Sequence, residues 1–191
     1  MVPTHFGLHL PNWTLQWLSR QPTLYRDAES RMRCAIALAR ENVSQGTGGP
    51  FGAAIFDAET GRLVSVGVNL VVSHQSAILH AEVVAIALAG QALGTHDLAA
   101  RGTYELYAST EPCTMCLGAS LWSGVKALYC GARDEDARAI GFDEGPKPTD
   151  WQGELERRGV RICCDLLRSE ATAVLEAYAS GGGPIYNGRA S

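Results

Sequence analysis

No stretch of the sequence approaches the roughly 20 consecutive apolar residues that a membrane-spanning helix needs. The opening residues, MVPTHFGLHLPNWTLQWLSRQP, hold neither a basic leader nor an apolar run, so no secretory signal is expected there. Neither sign of charge dominates: 16 Lys and Arg stand against 20 Asp and Glu, and basic clusters such as ERRGVR are interleaved with acids. Proteins that grip phosphate backbones gather cations on one face, so nucleic acid is disfavoured as a partner. The cysteines, at 34, 113, 116, 130, 163 and 164, lack the spacing of a disulfide framework. A reducing, cytoplasmic setting is the expectation. Internal repeats and linker-like tracts are also missing; GTGG at 46–49 and GGG at 181–183 are short.

What is present fits one domain over residues 1–191, with 46% apolar residues to build its core. Met32, Ile36, Ala39 and Val43 recur at helical spacing and predict a helix over 24–44. GAAIFD and GRLVSVGVN read as a β-hairpin. Helices are predicted at 12–19, 80–93 (stopped by Gly94), 113–122, 134–140, 150–158 and 166–179. Strands are predicted at YELYAST, KALYCGA and VRICCD. Strands alternating with helices after a hairpin point to an α/β sandwich with helices on both sheet faces.

Two stretches carry chemistry. Residues 79–83 read LHAEV and residues 111–116 read EPCTMC. Cys113 and Cys116 share one face of a helix first turn, where free N–H groups and the helix dipole favour thiolates. Alone, the pair reads equally as zinc ligands, a redox couple or two buried cysteines. His80 also opens a helix after a strand, and it supplies a third ligand. Three protein ligands with an open fourth position describe a catalytic zinc. Glu82, two residues on, borders the same space and suits proton transfer at a metal-activated water. A zinc scaffold without chemistry would have no use for that acid and would bring a fourth ligand. Cys130, Cys163 and Cys164 read as small apolar residues of strands; Asp143 reads as a turn acceptor and His74 as a loop residue.

His-Ala-Glu followed by Pro-Cys-x-x-Cys resembles the zinc nucleobase deaminases, from GGPFGAAIF through GARDEDARAIGFDEG. The resemblance implies a mixed five-stranded sheet between helix layers, zinc on His80, Cys113 and Cys116, and Glu82 as the proton shuttle. GFDEGPKP further resembles the bacterial guanine deaminase group, some of whose members accept ammeline. By that resemblance Glu144 is a second catalytic carboxylate, although many relatives carry Asp there. The same resemblance makes Asn69, Phe51, Ala81, Trp122 and Tyr186 contacts to a small-molecule base. It also makes 181–191 a lid segment and implies a homodimer, with exchange of C-terminal segments open. The implied reaction is guanine to xanthine and ammonia. Deaminases of guanosine, a triazine or a pterin-like ring, and a tRNA adenosine deaminase, stay as alternatives.

Overall fold

A computed structural model describes residue 2 and residues 4–188 of the chain. Five strands form one sheet in the order β2-β1-β3-β4-β5. β1 (Gly52–Asp57) pairs antiparallel with β2 (Leu63–Val68) and with β3 (Tyr104–Thr110). β3, β4 (Ala127–Ala132) and β5 (Arg161–Cys163) run parallel. The inner strands are apolar on both sides, as a sheet covered on both faces requires. Ala54, Phe56 and Tyr107 pack beneath α2 (Ala28–Ser44) and α7 (Arg168–Ser180). Ala53, Ile55, Leu106 and Leu128 pack beneath α3 (Ala81–Leu93), α4 (Thr114–Ser123) and α6 (Trp151–Glu156). Short helices α1 (Trp13–Leu18) and α5 (Asp134–Ala139) complete the layers. The expected three-layer α/β/α sandwich with a mixed five-stranded sheet is therefore present.

Three departures from the sequence reading have an identifiable cause. α2 starts at Ala28 rather than 24, because Asp27 accepts a hydrogen bond from the Ser30 N–H at 2.7 Å and forms a capping box. Leu24 instead bridges Arg62. β5 stops at Cys163, and Asp165 and Leu167 take left-handed backbone that no strand tolerates. Residues 81–100 pass as a membrane span on length and composition alone, contrary to the first reading. The structure divides them: α3 has 13 residues, left-handed Gly94 caps it, and a 3-10 turn follows at Leu98–Ala100. Thirteen residues of helix reach only about 20 Å, well short of a bilayer core.

The sheet positions two helix N-termini side by side. α3 lies so close on β2 that a Cβ at Gly67 would fall 2.0 Å from the Ala81 carbonyl oxygen. α4 begins just past β3, and α3 and α4 are neighbours on the same face. The starts of both helices therefore open onto one end of the sheet.

Candidate active site

His80 and Cys113 are the N-cap residues of α3 and α4, both with extended backbone, and neither side chain caps its own helix. Their polar atoms are thus left for each other: Cys113 Sγ stands 3.4 Å from His80 Nδ1. With Cys116, one helical turn on, they place one nitrogen and two sulfurs within 4.8 Å of one another. Zinc bound at ~2.3 Å to sulfur and ~2.0 Å to nitrogen wants ligand atoms roughly 3.5–3.8 Å apart, so the trio fits after small rotamer adjustments.

The electrostatics favour a cation. Cys113 is pulled down to about 4, chiefly by the hydrogen bond from Cys116, with His80 adding to it against the cost of burial. Cys116 moves up because it gives that hydrogen bond and is buried. Without metal the pair therefore behaves as one thiolate sharing a proton with one thiol, and a metal would displace that proton. Burial opposes charge on the His80 ring, but the Cys113 hydrogen bond and the nearby Glu82 and Glu144 carboxylates prevail and raise its pKa.

Four carboxylates line the cavity beside His80 and Cys113, namely Glu82, Glu111, Asp143 and Glu144, and of these Glu82 and Glu144 are buried. Glu82, in the first turn of α3, is buried; burial first and the Cys113 charge second push its pKa up. Glu144 arrives from the loop after α5 and is equally buried. Burial, then the charges of Cys113 and Glu82, push it up to about 8. A carboxyl held near neutrality in this way can both give and take a proton. Its backbone carbonyl accepts from the Thr114 N–H at 3.0 Å, which ties the loop to the start of α4.

Asn69, Phe51 and Tyr186 line the same cavity. The buried Asn69 follows β2, and its carbonyl accepts from Asn42 Nδ2 at 3.0 Å. Asn42 also donates to the Gly49 carbonyl, so one fully buried amide fixes both the Asn69 backbone and the glycine turn. Tyr186 reaches in from the C-terminal segment. Its ring packs edge-on against Phe142 at 5.2 Å, and Phe142 packs in the same manner against Phe51 at 4.9 Å. The Tyr186 hydroxyl is buried near the Asn69 amide without a fully formed hydrogen bond. A Cβ at Gly49 would fall 1.9 Å from that hydroxyl, so only glycine lets the tyrosine in. Asn187 fastens the segment, donating to the Gly141 carbonyl at 2.9 Å and accepting from the Asp143 N–H at 2.8 Å. Tyr186 narrows the cavity, in which only about 40 Å³ is open to the centre of a water molecule.

Two expected contacts fall elsewhere. Trp122 is 83% exposed on α4 and does not line the cavity. It lies six residues past Cys116, about 240° around the helix, so it must face away when Cys116 faces the site. The Ala81 side chain is buried in the core between α3 and the sheet, also outside the cavity lining, and only its backbone N–H belongs to the open first turn of α3. Asp143 behaves as the expected turn acceptor, taking the Gly145 N–H at 2.9 Å. Sequence reasoning missed Phe142, Asn42 and Glu111. Phe142 stood in GFDEG and Glu111 in EPCTMC, where both could have been found; nothing local marks Asn42. Residues 189–191 of the expected lid lie outside the described residues.

The model of the cytidine and deoxycytidylate deaminase zinc-binding region matches residues 25–132. The chain is 41% identical over 116 residues to the guanine deaminase of Bacillus subtilis (strain 168), covering 61% of this chain and 71% of that one. It is 31% identical over 112 residues to the tRNA-specific adenosine deaminase of Rickettsia bellii (strain RML369-C), covering 59% and 71%. Among solved structures, a guanine deaminase from Nitrosomonas europaea superposes with a TM-score of 0.88 at 42% identity, covering 94% of this chain and 99% of that one.

Proposed function

The chain belongs to the cytidine and deoxycytidylate deaminase zinc-binding family and is a zinc-dependent hydrolytic deaminase, and from that premise we propose that it converts guanine and water to xanthine and ammonia. The observation that carries the choice of guanine is Glu144, a second buried carboxyl sharing the cavity with the metal ligands and Glu82. The guanine deaminase relatives also match at higher identity, 41% and 42%, than the tRNA-specific relative at 31%.

His80, Cys113 and Cys116 hold the zinc, which when bound supplies the Lewis acid that makes water nucleophilic near neutral pH. Glu82 takes a proton from the attacking water and delivers it to the ring nitrogen next to C2. The C2–oxygen bond forms as that carbon becomes tetrahedral. An aromatic amine leaves poorly until it is protonated, and Glu144, held near neutrality by burial, gives that proton; the C2–N bond then breaks, ammonia leaves, and the C2 hydroxyl returns its proton to Glu144 as the xanthine carbonyl forms. The Asn69 amide and the Phe51 and Phe142 rings orient the flat base. Ammeline presents a similar amino-substituted ring edge and is a second substrate in this reading.

In this reading Tyr186, which lines and narrows the cavity, withdraws before a base enters. The Gly181–Gly183 run, beside a cavity of about 420 Å³, supplies the hinge, and residues 181–191 act as the lid. A second copy of the chain is proposed against the outer side of α4, where Trp122 is exposed and half-buried Leu121 lines a 410 Å³ groove. Six free cysteines, two of them needed as thiolates, suit the cytoplasm.

The test is ammonia release by zinc-replete protein from guanine, guanosine, ammeline, cytosine, cytidine, adenosine and a tRNA anticodon arm. Turnover confined to guanine, with or without ammeline, is expected. Turnover of a nucleoside or tRNA without guanine would leave the zinc chemistry standing and remove Glu144 as the mark of a guanine site.

A further inference from the structure

The loop that carries Glu144 has no regular secondary structure between α5 and α6, yet it must hold a carboxyl steady in a cavity. Three residues past Glu144 lies Lys147, one of only two lysines in the chain; the other, Lys126, is exposed. The Lys147 side chain is nearly buried. Its ammonium stands 2.6 Å from Asp134 Oδ1 and 3.6 Å from Glu111 Oε2, donates to the Pro112 carbonyl at 3.3 Å, and lies 5.6 Å over the Trp151 ring. Asp134 Oδ1 is buried and, among the described residues, finds no partner besides this lysine. Glu111 and Pro112 are the two residues before Cys113, and Glu111 also accepts the Asp134 N–H at 3.2 Å.

We infer that Lys147 is a positioning residue: it clamps the Glu144 loop onto the segment that carries the first thiolate ligand, and so sets where the Glu144 carboxyl sits relative to the metal ligands. The inference rests on the reading of Glu144 as a catalytic acid. Lys147 does not line the cavity and touches no substrate. Pro146 and Pro148 flank it, and their fixed φ angles stiffen the short path from the anchor to Glu144. The other ties are weaker holds. Arg138, which donates to the Gly145 carbonyl at 2.9 Å, is 43% exposed, and Asn187 belongs to the segment that must withdraw. A single buried cation facing two carboxylates is also a geometry that methionine, with similar length and no charge, cannot reproduce.

The experiment is a double-mutant cycle on the zinc-loaded full chain, read as kcat and KM for ammonia release from guanine together with zinc content. Lys147→Met is expected to lower kcat by about 10–100-fold at full zinc, the size of effect that a small misplacement of a reacting group produces. Lys147→Arg restores most of the loss. In a Glu144→Gln background Lys147→Met costs less than about 2-fold, because the lysine acts through the carboxyl already removed. Should Lys147→Met fail to fold, Asp134→Asn weakens the same clamp and carries the same prediction. Wild-type kcat for Lys147→Met at full zinc would overturn the inference. So would an undiminished loss in the Glu144→Gln background, which is the mark of a merely structural lysine. Wild-type turnover by Glu144→Gln alone would be a different failure, removing the reading of Glu144 and the inference together.

Discussion

Glu82, Glu144 and Glu105 are buried to nearly the same degree, at 8%, 7% and 6% exposure, yet they live in opposite surroundings. Glu105, on β3, accepts from Arg31 at 2.6 Å, Arg161 at 2.9 Å, Tyr107 at 3.1 Å and Tyr129 at 3.4 Å. The Tyr107 and Tyr129 rings stack at 4.3 Å above it, and Arg31 also donates to the Tyr25 carbonyl. Every lone pair there has a partner, and the cluster joins α2 to three strands. Glu82 and Glu144 have anionic sulfur and each other for neighbours. Burial alone therefore does not mark a catalytic group. Burial without an ion-pair partner at contact distance among the described residues does, because a metal or a substrate must then supply what the protein withholds.

Breaking the metal side should have the largest effect. Cys116→Ala removes a ligand, and zinc content and ammonia release should both fall to background, as measured by metal analysis and turnover on the same sample. On the other side, Glu105→Ala leaves the buried Arg31 unpaired and should cost about 3–5 kcal/mol of stability in a denaturation experiment, while activity per folded, zinc-loaded molecule stays close to wild type. Glu144→Gln should keep zinc and fold and lower turnover by roughly 10²-fold, within the range of general acid catalysis.

The smallest effect sharpens the comparison through pH. Glu144 is raised from 4.5 to about 8, so between those values the folded chain holds a proton that the unfolded chain has lost. This group's contribution to stability therefore declines as pH rises from about 4.5 to 8 and is level above that. Turnover, which needs the protonated acid, should fall as pH rises through about 8. In Glu144→Gln the fall of turnover through about 8 should vanish from the pH–rate profile, and the decline between about 4.5 and 8 should vanish from the pH–stability profile.

The sequence revealed the metal ligands because they sit where local rules act. A histidine and a cysteine replace ordinary helix caps just after apolar runs, and the second cysteine follows at one turn. Strand and helix identities were legible for the same reason, apart from the ends of α2 and β5, where capping by Asp27 and left-handed Asp165 and Leu167 decided. Trp122 was misplaced because an aromatic near a motif looks like a wall until the helix phase is followed. Asn42, Lys147 and the Glu105 cluster were not legible. Arg31 meets Glu105 across 74 residues and Lys147 meets Pro112 across 35, and nothing in either local pattern announces the partner.

The most direct measurement is ammonia release from guanine by wild type and Glu82→Gln, with zinc determined in the same preparations. This account predicts equal zinc and at least a ~10²-fold slower release from the variant. Wild-type turnover by Glu82→Gln at full zinc would contradict it, since the buried carboxyl beside the metal ligands would then not be moving the proton.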